Sequence, residues 1–389
     1  MATAMPLVKR DSSLMGLISW KKKLTFDGNG VFKRYALWRA LGFVISVICV
    51  LRTYEGLGNG SFAAFGPEDD ANTQRVHATI LDQEKPNYVV FNGDIMTGEN
   101  VFADNATGYQ DMCYQPTVER GIPFSSTHGN HDNANNINHN EEIEYEMAHY
   151  SSLSHTRSDV GPKPYGNGNY WVPVYAKDKD YVPAMIMWFF DSRSFVSGSG
   201  NGPGPIPAAA NYYWVDENTV PAYIAEQSLL MRVAWGAIPP SLVFVHIPFA
   251  HSGDLDALPT EGDHDDDPDP SVQGYLANYT GLDLPTFNEI VQLAQGKNKV
   301  MAITSGHDHG DSWCGRSYNS SGLALCFDGH SGYGGYDTPN SLVRNGRVFN
   351  VQLADIQQEY PTVETWNSYE NKTINDYVVL GPDYLKQYN

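Results

Sequence analysis

Residues 300–309 read VMAITSGHDH. An apolar run that favours a strand is followed by a small turn and two histidines one residue apart. A short apolar run closed by a turn fits a strand buried on both faces of a sheet. Three upstream stretches have the same form. Residues 88–94 are YVVFNGD, residues 122–132 are IPFSSTHGNHD and residues 242–251 are LVFVHIPFAH. Each sets chemistry-bearing residues at a strand end: Asp94, then Asn130 with His131, then His246, and in the first stretch His307 with His309. Ligand sites of open α/β sheets lie outside the carboxyl ends of strands, where loops bring distant residues together.

Between the strands the period turns helical. Residues 70–85 place Val76, Ile80 and Leu81 on one face, and 141–150, 221–235 and 285–295 also read as helices. Residues 183–190 (PAMIMWFF) form a further buried strand, with later strands at 323–327 and 348–353. Strands alternating with helices predict an α/β fold with much parallel pairing. The expected organisation is a poorly ordered leader over 1–23, one domain over 24–360, and a polar, aromatic tail over 361–389 packed on the surface.

The chain of 389 residues carries 25 Lys plus Arg against 45 Asp plus Glu, a net charge of −20. That balance argues against nucleic acid or an anionic membrane as the main partner, since both need a cationic surface. Four cysteines, Cys49, Cys113, Cys314 and Cys326, are too few for a disulfide scaffold and lack a CxxC zinc spacing. Cys314 and Cys326 either bridge a short loop or are two buried thiols. Sequons at Asn59, Asn105, Asn278, Asn319 and Asn371 point to a secretory route, hence a glycoprotein that is secreted or vacuolar. The apolar run over 36–51 (ALWRALGFVISVICVL) contains Arg39 and is short of the roughly 20 residues that span a bilayer. It reads as a membrane anchor, as a buried strand or helix, or as a stretch foreign to the natural mature protein.

Asp94 offers a carboxylate able to bridge cations, Asn130 an amide oxygen, and His246, His307 and His309 imidazole nitrogens. Mixed nitrogen and oxygen donors suit Fe, Zn or Mn rather than thiolate-seeking ions. In an extended His-x-His, alternate residues face one side, so two imidazoles reach one metal or two adjacent ones. Singly, each piece has a bland reading: Gly-Asp is a common turn and a lone His246 a satisfied core residue. Four such pieces in this order, each at a strand end, outweigh those readings.

The set resembles the calcineurin-like metallophosphoesterase superfamily, whose pattern runs D-x-H, G-D, G-N-H-D/E, H and G-H-x-H. NGDIMTGEN (92–100), STHGNHDN (126–133), FVHIPFAH (244–251) and GHDHGDSWCG (306–315) look like its purple-acid-phosphatase-like branch. The resemblance covers roughly 24–353. It implies a four-layer α/β sandwich, two facing mixed sheets flanked by helices. It also implies a two-metal phosphoesterase acting on a phosphorylated small molecule or phosphoprotein. By that resemblance Asp94 bridges the metals, Asn130, His246 and His307 complete one site, and His309 belongs to the other. His131 is then the catalytic residue that donates to the phosphoryl group or protonates the leaving oxygen, with Asp132 beside it to orient the ring. Two metals about 3.5–4 Å apart lower the pKa of a shared water and neutralise phosphoryl charge, so no covalent intermediate is needed.

One part of the pattern is missing. Residues 43–54 (FVISVICVLRTY), where the first motif belongs, hold no Asp and no His; Val50 and Arg52 have the spacing without the chemistry. Thr97 stands where purple acid phosphatases carry a Tyr. Two readings follow. Either the protein is an impaired phosphatase with one competent metal site that acts as a binding module, or residues 35–52 are a gene-model error such as a retained intron or frameshift. Elsewhere, the acidic run Glu261 to Pro270 lacks EF-hand spacing, and His251, His330, Trp313 and Tyr333 read as packing residues near the motif loops.

Overall fold

Among the described residues the apolar runs become strands of two six-stranded sheets. The computed structural model describes residues 42–48, 66–98, 101, 104–133, 137–161, 168–192, 219–255, 262–265, 283–316, 321–335, 337–339 and 341–386. In chain order the strands are β1 (Gly42–Ile48), β2 (Tyr88–Asn92), β3 (Phe124–Thr127), β4 (Tyr170–Val174), β5 (Met185–Phe190) and β6 (Ser241–Val245). They continue with β7 (Val300–Ser305), β8 (Cys314–Arg316), β9 (Ala324–Phe327), β10 (Asn345–Gln352), β11 (Val363–Tyr369) and β12 (Ile374–Leu380). The helices are α1 (Pro67–Glu84), α2 (Ala106–Glu119), α3 (His139–His149), α4 (Thr219–Trp235), α5 (Leu284–Ala294) and the short α6 (Leu353–Ile356).

One sheet runs β12-β11-β10-β1-β2-β3 and the other β4-β5-β6-β7-β9-β8. The strands that carry the motifs are parallel to their neighbours: β1 with β2, β2 with β3, β5 with β6, β6 with β7. Parallel neighbours end on the same edge of their sheet, so each sheet gathers two motif loops at one edge.

Side-chain alternation builds the layers. Met185, Met187 and Phe189 of β5 join Leu242 and Phe244 of β6 in a core shared with Tyr88 and Val90 of β2 and Phe349 and Val351 of β10. That core lies between the sheets. The opposite residues Ile186, Trp188, Phe190, Val243 and Val245 pack against Ile224 and Met231 of α4 and Phe287 and Ile290 of α5. On the outer face of the other sheet, Val89 and Phe91 meet Leu81 of α1 and Cys113 and Tyr114 of α2. This is the four-layer α/β sandwich expected. Each such side chain, fully buried, contributes about 1.5–3 kcal/mol.

Helix ends follow sequence rules. α1 opens on Pro67 with Glu68, Asp69 and Asp70 in its first turn, where the helix dipole favours acids, and ends on a left-handed Lys85. α3 opens with a capping box of Asn138 and Glu141.

The C-terminal stretches and α2 differ from the sequence reading. Residues 363–369 and 374–380, expected as a surface tail, are β11 and β12 and extend a sheet beyond β10. Beside the core residues Val363, Val378 and Leu380 they bury polar ones: Thr365 accepts from Arg347 through Oγ1 and Asn367 donates to the Ser312 carbonyl. α2 escaped notice because Pro116 lies inside it and its apolar period is weak. Of the readings of 36–51, residues 42–48 are a strand, paired antiparallel to β10 and parallel to β2. Among the described residues no helix is long and apolar enough to cross a membrane. The leader over 1–23 lies outside the described residues, as do Val50 and Arg52. Cys314 and Cys326 are disulfide-bonded and stand opposite each other on β8 and β9.

Candidate metal centre

Each ligand loop begins where a motif strand stops. Beyond β2, Gly93 (φ 85) and Asp94 (φ 49) both take left-handed backbone, so the chain turns sharply where the strand ends. A Cβ on Gly93 would fall 2.4 Å from His246 Cγ, and one on Gly129 2.1 Å from Asp94 Oδ1. Glycine is therefore a steric need of both loops. His307 also holds φ 74, an arrangement that costs a non-glycine residue about 1–3 kcal/mol and clusters at functional sites.

Asp94, His246 and His307 each offer a ligand atom, and these atoms lie within 4.8 Å of one another. His246 Nδ1 is 2.8 Å from the Asn92 carbonyl oxygen, and Nε2 is 3.0 Å from Asp94 Oδ2. A carbonyl only accepts, so Nδ1 carries a proton, and Nε2 is the nitrogen that faces the carboxylate. At that distance the nitrogen and the carboxylate oxygen can share one cation, a proton or a metal ion. A backbone carbonyl on the second ring nitrogen is also the usual support of a metal-binding histidine. His307 Nδ1 and Asn130 Oδ1 are 3.0 Å apart, bringing a fourth donor alongside.

Charge fits the same purpose. Burial alone would raise the Asp94 pKa, but His246, through charge and its hydrogen bond, and His131 draw it far below the usual carboxylate range. Burial and the neighbouring His246 push His307 down to about 3, so its ring is neutral at physiological pH. A carboxylate, two imidazoles and an amide oxygen form the donor set of a first-row metal, so the residues present fit such an ion.

The family model for calcineurin-like phosphoesterase matches residues 66–311. The chain belongs to the calcineurin-like phosphoesterase family. The matched region starts downstream of Val50 and Arg52 and contains Asp94, Asn130, His131, His246, His307 and His309. The chain is 25% identical over 330 residues to "Probable inactive purple acid phosphatase 28" of Arabidopsis thaliana, covering 79% of this chain and 74% of that protein. It is 24% identical over 299 residues to "Phosphatase DCR2" of Saccharomyces cerevisiae, covering 76% of this chain and only 48% of that protein. Among solved structures, a dimetal phosphatase from Danio rerio aligns over 87% of this chain and 98% of its own at 12% identity, with a TM-score of 0.49.

Within this phosphoesterase frame the expected site residues divide. Asp94, His246, His307 and Asn130 come together. His131 joins them through its backbone, whose N–H donates to Asp94 Oδ1 at 3.0 Å. Asp132 does not serve to orient the His131 ring: Oδ2 accepts from Gly129 N at 2.7 Å and Oδ1 from Met96 N at 3.0 Å. His309 is buried and stacks on His330, ring centroids 4.1 Å apart, in a cleft shared with Asp263, Ser312 and Asn345. Trp313 is a core residue stacked on His264, and His251 stacks on Phe287.

The sequence reading missed three supporting residues. Asn92 donates to the carbonyls of Val245 and Thr304, tying β2 to β6 and β7 directly under the site. His139 and Asp191 pair at 2.9 Å behind the Gly129 loop. Asn92 lies at the end of the β2 run beside the Gly93–Asp94 turn, where its position marks it; nothing in the local sequence marks the other two.

Proposed function

We propose that the chain is a metal-dependent phosphoesterase that hydrolyses a phosphate monoester. What carries this reading is the convergence of Asp94, His246 and His307, with Asn130 beside them, from four separate loops. These residues would hold one Fe, Zn or Mn ion. When bound, a metal supplies a water of lowered pKa and positive charge for the phosphoryl oxygens. The chain's own part is to hold the donors still: Asn92 fixes the His246 tautomer and Asp132 fixes the Gly129 turn. His131 is held beside Asp94 by its backbone, and its imidazole is the group there suited to pass a proton to the leaving oxygen near neutral pH.

The dinuclear form expected of the family needs His309 and donors in place of the missing D-x-H pair. A second reading is favoured by His309 stacking on His330 and by the lack of donors at Val50 and Arg52. In it the chain holds a single ion and acts as a binding module. On either reading the ligand is a phosphorylated small molecule or phosphoprotein. A net charge of −20 repels it at long range, so attraction comes from the metal itself. The sequons, among them the exposed Asn371 in the turn between β11 and β12, support a secreted or vacuolar glycoprotein.

Metal analysis with p-nitrophenyl phosphate turnover on the purified chain tests the proposal. Bound metal with turnover supports the enzyme, one ion without turnover supports the binding module, and a chain that takes up no metal overturns both.

A further inference from the structure

Behind the Gly129 turn lies a group of fully buried titratable side chains that the proposed chemistry does not use: His128, His139, Glu142 and Asp191. His139 is the first residue of α3. Its Nε2 lies 2.7 Å from the Gly129 carbonyl oxygen and its Nδ1 2.9 Å from Asp191 Oδ2, just past the end of β5. A carbonyl only accepts, so Nε2 carries a proton. An ionised carboxylate also only accepts, so Nδ1 carries one too, and the ring is an imidazolium. A cation suits neither the start of a helix nor a buried position, and Asp191 offsets both penalties.

Gly129 is tied at both ends. Its N–H donates to Asp132 Oδ2 at 2.7 Å, while its carbonyl accepts from His139. Between these ties its α-carbon presses on the Asp94 carboxylate closely enough to leave no room for a Cβ. Any shift at residue 129 moves Asn130 and His131, which follow it.

We propose that His139, held by Asp191, is a positioning residue that clamps the Gly129 carbonyl and thereby sets where Asn130 and His131 stand relative to Asp94. Its purpose rests on the phosphoesterase reading; its geometry does not. Other titratable groups face the ring. Asp132 approaches from the clamped turn, His128 lies 5.2 Å away ring to ring, and Glu142 sits one turn along α3. Burial holds His128 neutral by pushing it down to about 3, and raises Glu142 well above the usual range. Burial would lower His139 as well, but Asp191 and its hydrogen bond reverse the direction, supporting the charged ring.

The test compares wild type with Asp191→Asn, His139→Gln and His139→Leu by amide hydrogen exchange over residues 127–133 and by titration with Zn²⁺ or Mn²⁺. Leu fills the space with no donor, whereas Gln keeps one N–H for Gly129 without the charge. Exchange at 127–133 is expected to rise about 10-fold in His139→Leu and Asp191→Asn, to be partly restored in His139→Gln, and to stay unchanged in β6 and β7. The metal Kd should weaken in the same order, by about 10–100-fold, as for lost outer-sphere partners. Wild-type protection of 127–133 in His139→Leu overturns the clamp. If that variant does not fold, unchanged local exchange in Asp191→Asn overturns it instead. A wild type that binds no metal sinks the phosphoesterase reading, while the exchange data still decide the clamp.

Discussion

His246 Nε2 faces Asp94 Oδ2 across 3.0 Å, and its other nitrogen is committed to the Asn92 carbonyl. The contact crosses from one sheet to the other, because Asp94 follows β2 and His246 follows β6. His307 and Asn130 repeat the arrangement, joining the end of β7 to the end of β3 at 3.0 Å. Neither contact belongs to regular secondary structure. The two sheets are brought together by the shared apolar core, and the ligand loops meet only as a result.

Removing one imidazole leaves an incomplete donor set without emptying the core. His246→Ala or His307→Ala is expected to weaken metal binding more than about 100-fold, since losing an outer-sphere partner alone costs about 10–100-fold. Metal content per chain after gel filtration checks this. Unchanged content in His307→Ala would refute the ligand assignment.

Gly129→Ala tests the steric argument separately from ligand chemistry. The new methyl would fall 2.1 Å from Asp94 Oδ1, so the carboxylate or the turn must move. Overpacking of this kind costs about 1–3 kcal/mol. The variant should therefore remain folded in urea titration yet lose metal. Wild-type metal affinity would mean that the turn is softer than its contacts indicate.

Asp328 gives a pH dependence with a definite sign. It accepts hydrogen bonds from Asn92 Nδ2 and Thr304 Oγ1. Burial nevertheless raises its pKa from 3.8 to about 7. The folded chain then holds a proton that the unfolded chain has already lost. Stability from this group is complete below about pH 4 and is lost as pH rises toward 7, by up to roughly 4 kcal/mol. Asp328→Asn stays neutral throughout. Urea unfolding at pH 5 and pH 8 should show a smaller loss of stability for the variant than for wild type, and parallel losses would contradict the shift.

The strands with alternating apolar residues were legible because each face meets a core: Met185, Met187 and Phe189 inward, Ile186, Trp188 and Phe190 outward. β11 was not, because Thr365, Asn367 and Ser368 take three of its buried positions and break the apolar pattern. Arg347, itself fully buried, donates to the Phe327 and Ser312 carbonyls and to Thr365 Oγ1, and only that network makes Thr365 an interior residue. The donors of the site were legible for a different reason. Metal chemistry limits which residue types can serve, and sheet topology limits where they stand. His139 satisfies neither filter, since its role comes from a carbonyl ten residues upstream that folding brings within reach of its ring.

His309 decides how many ions the site holds. Its ring stacks on His330 at 4.1 Å, and it is not one of the three residues whose ligand atoms converge at Asp94. If a single ion sits with Asp94, Asn130, His246 and His307, then His309→Ala removes no donor from it. That variant should retain the metal content of wild type, while His307→Ala empties the site in a parallel preparation. In a dinuclear protein, His309→Ala would instead shed about half of the bound metal, because an ion with one protein donor fewer keeps too little of its coordination shell. Ions per chain, measured on wild type and both variants from one metal-loaded preparation, separate the two cases. A loss of about half the metal in His309→Ala would show that His309 leaves the His330 stack to bind metal, and the single-ion reading would fall.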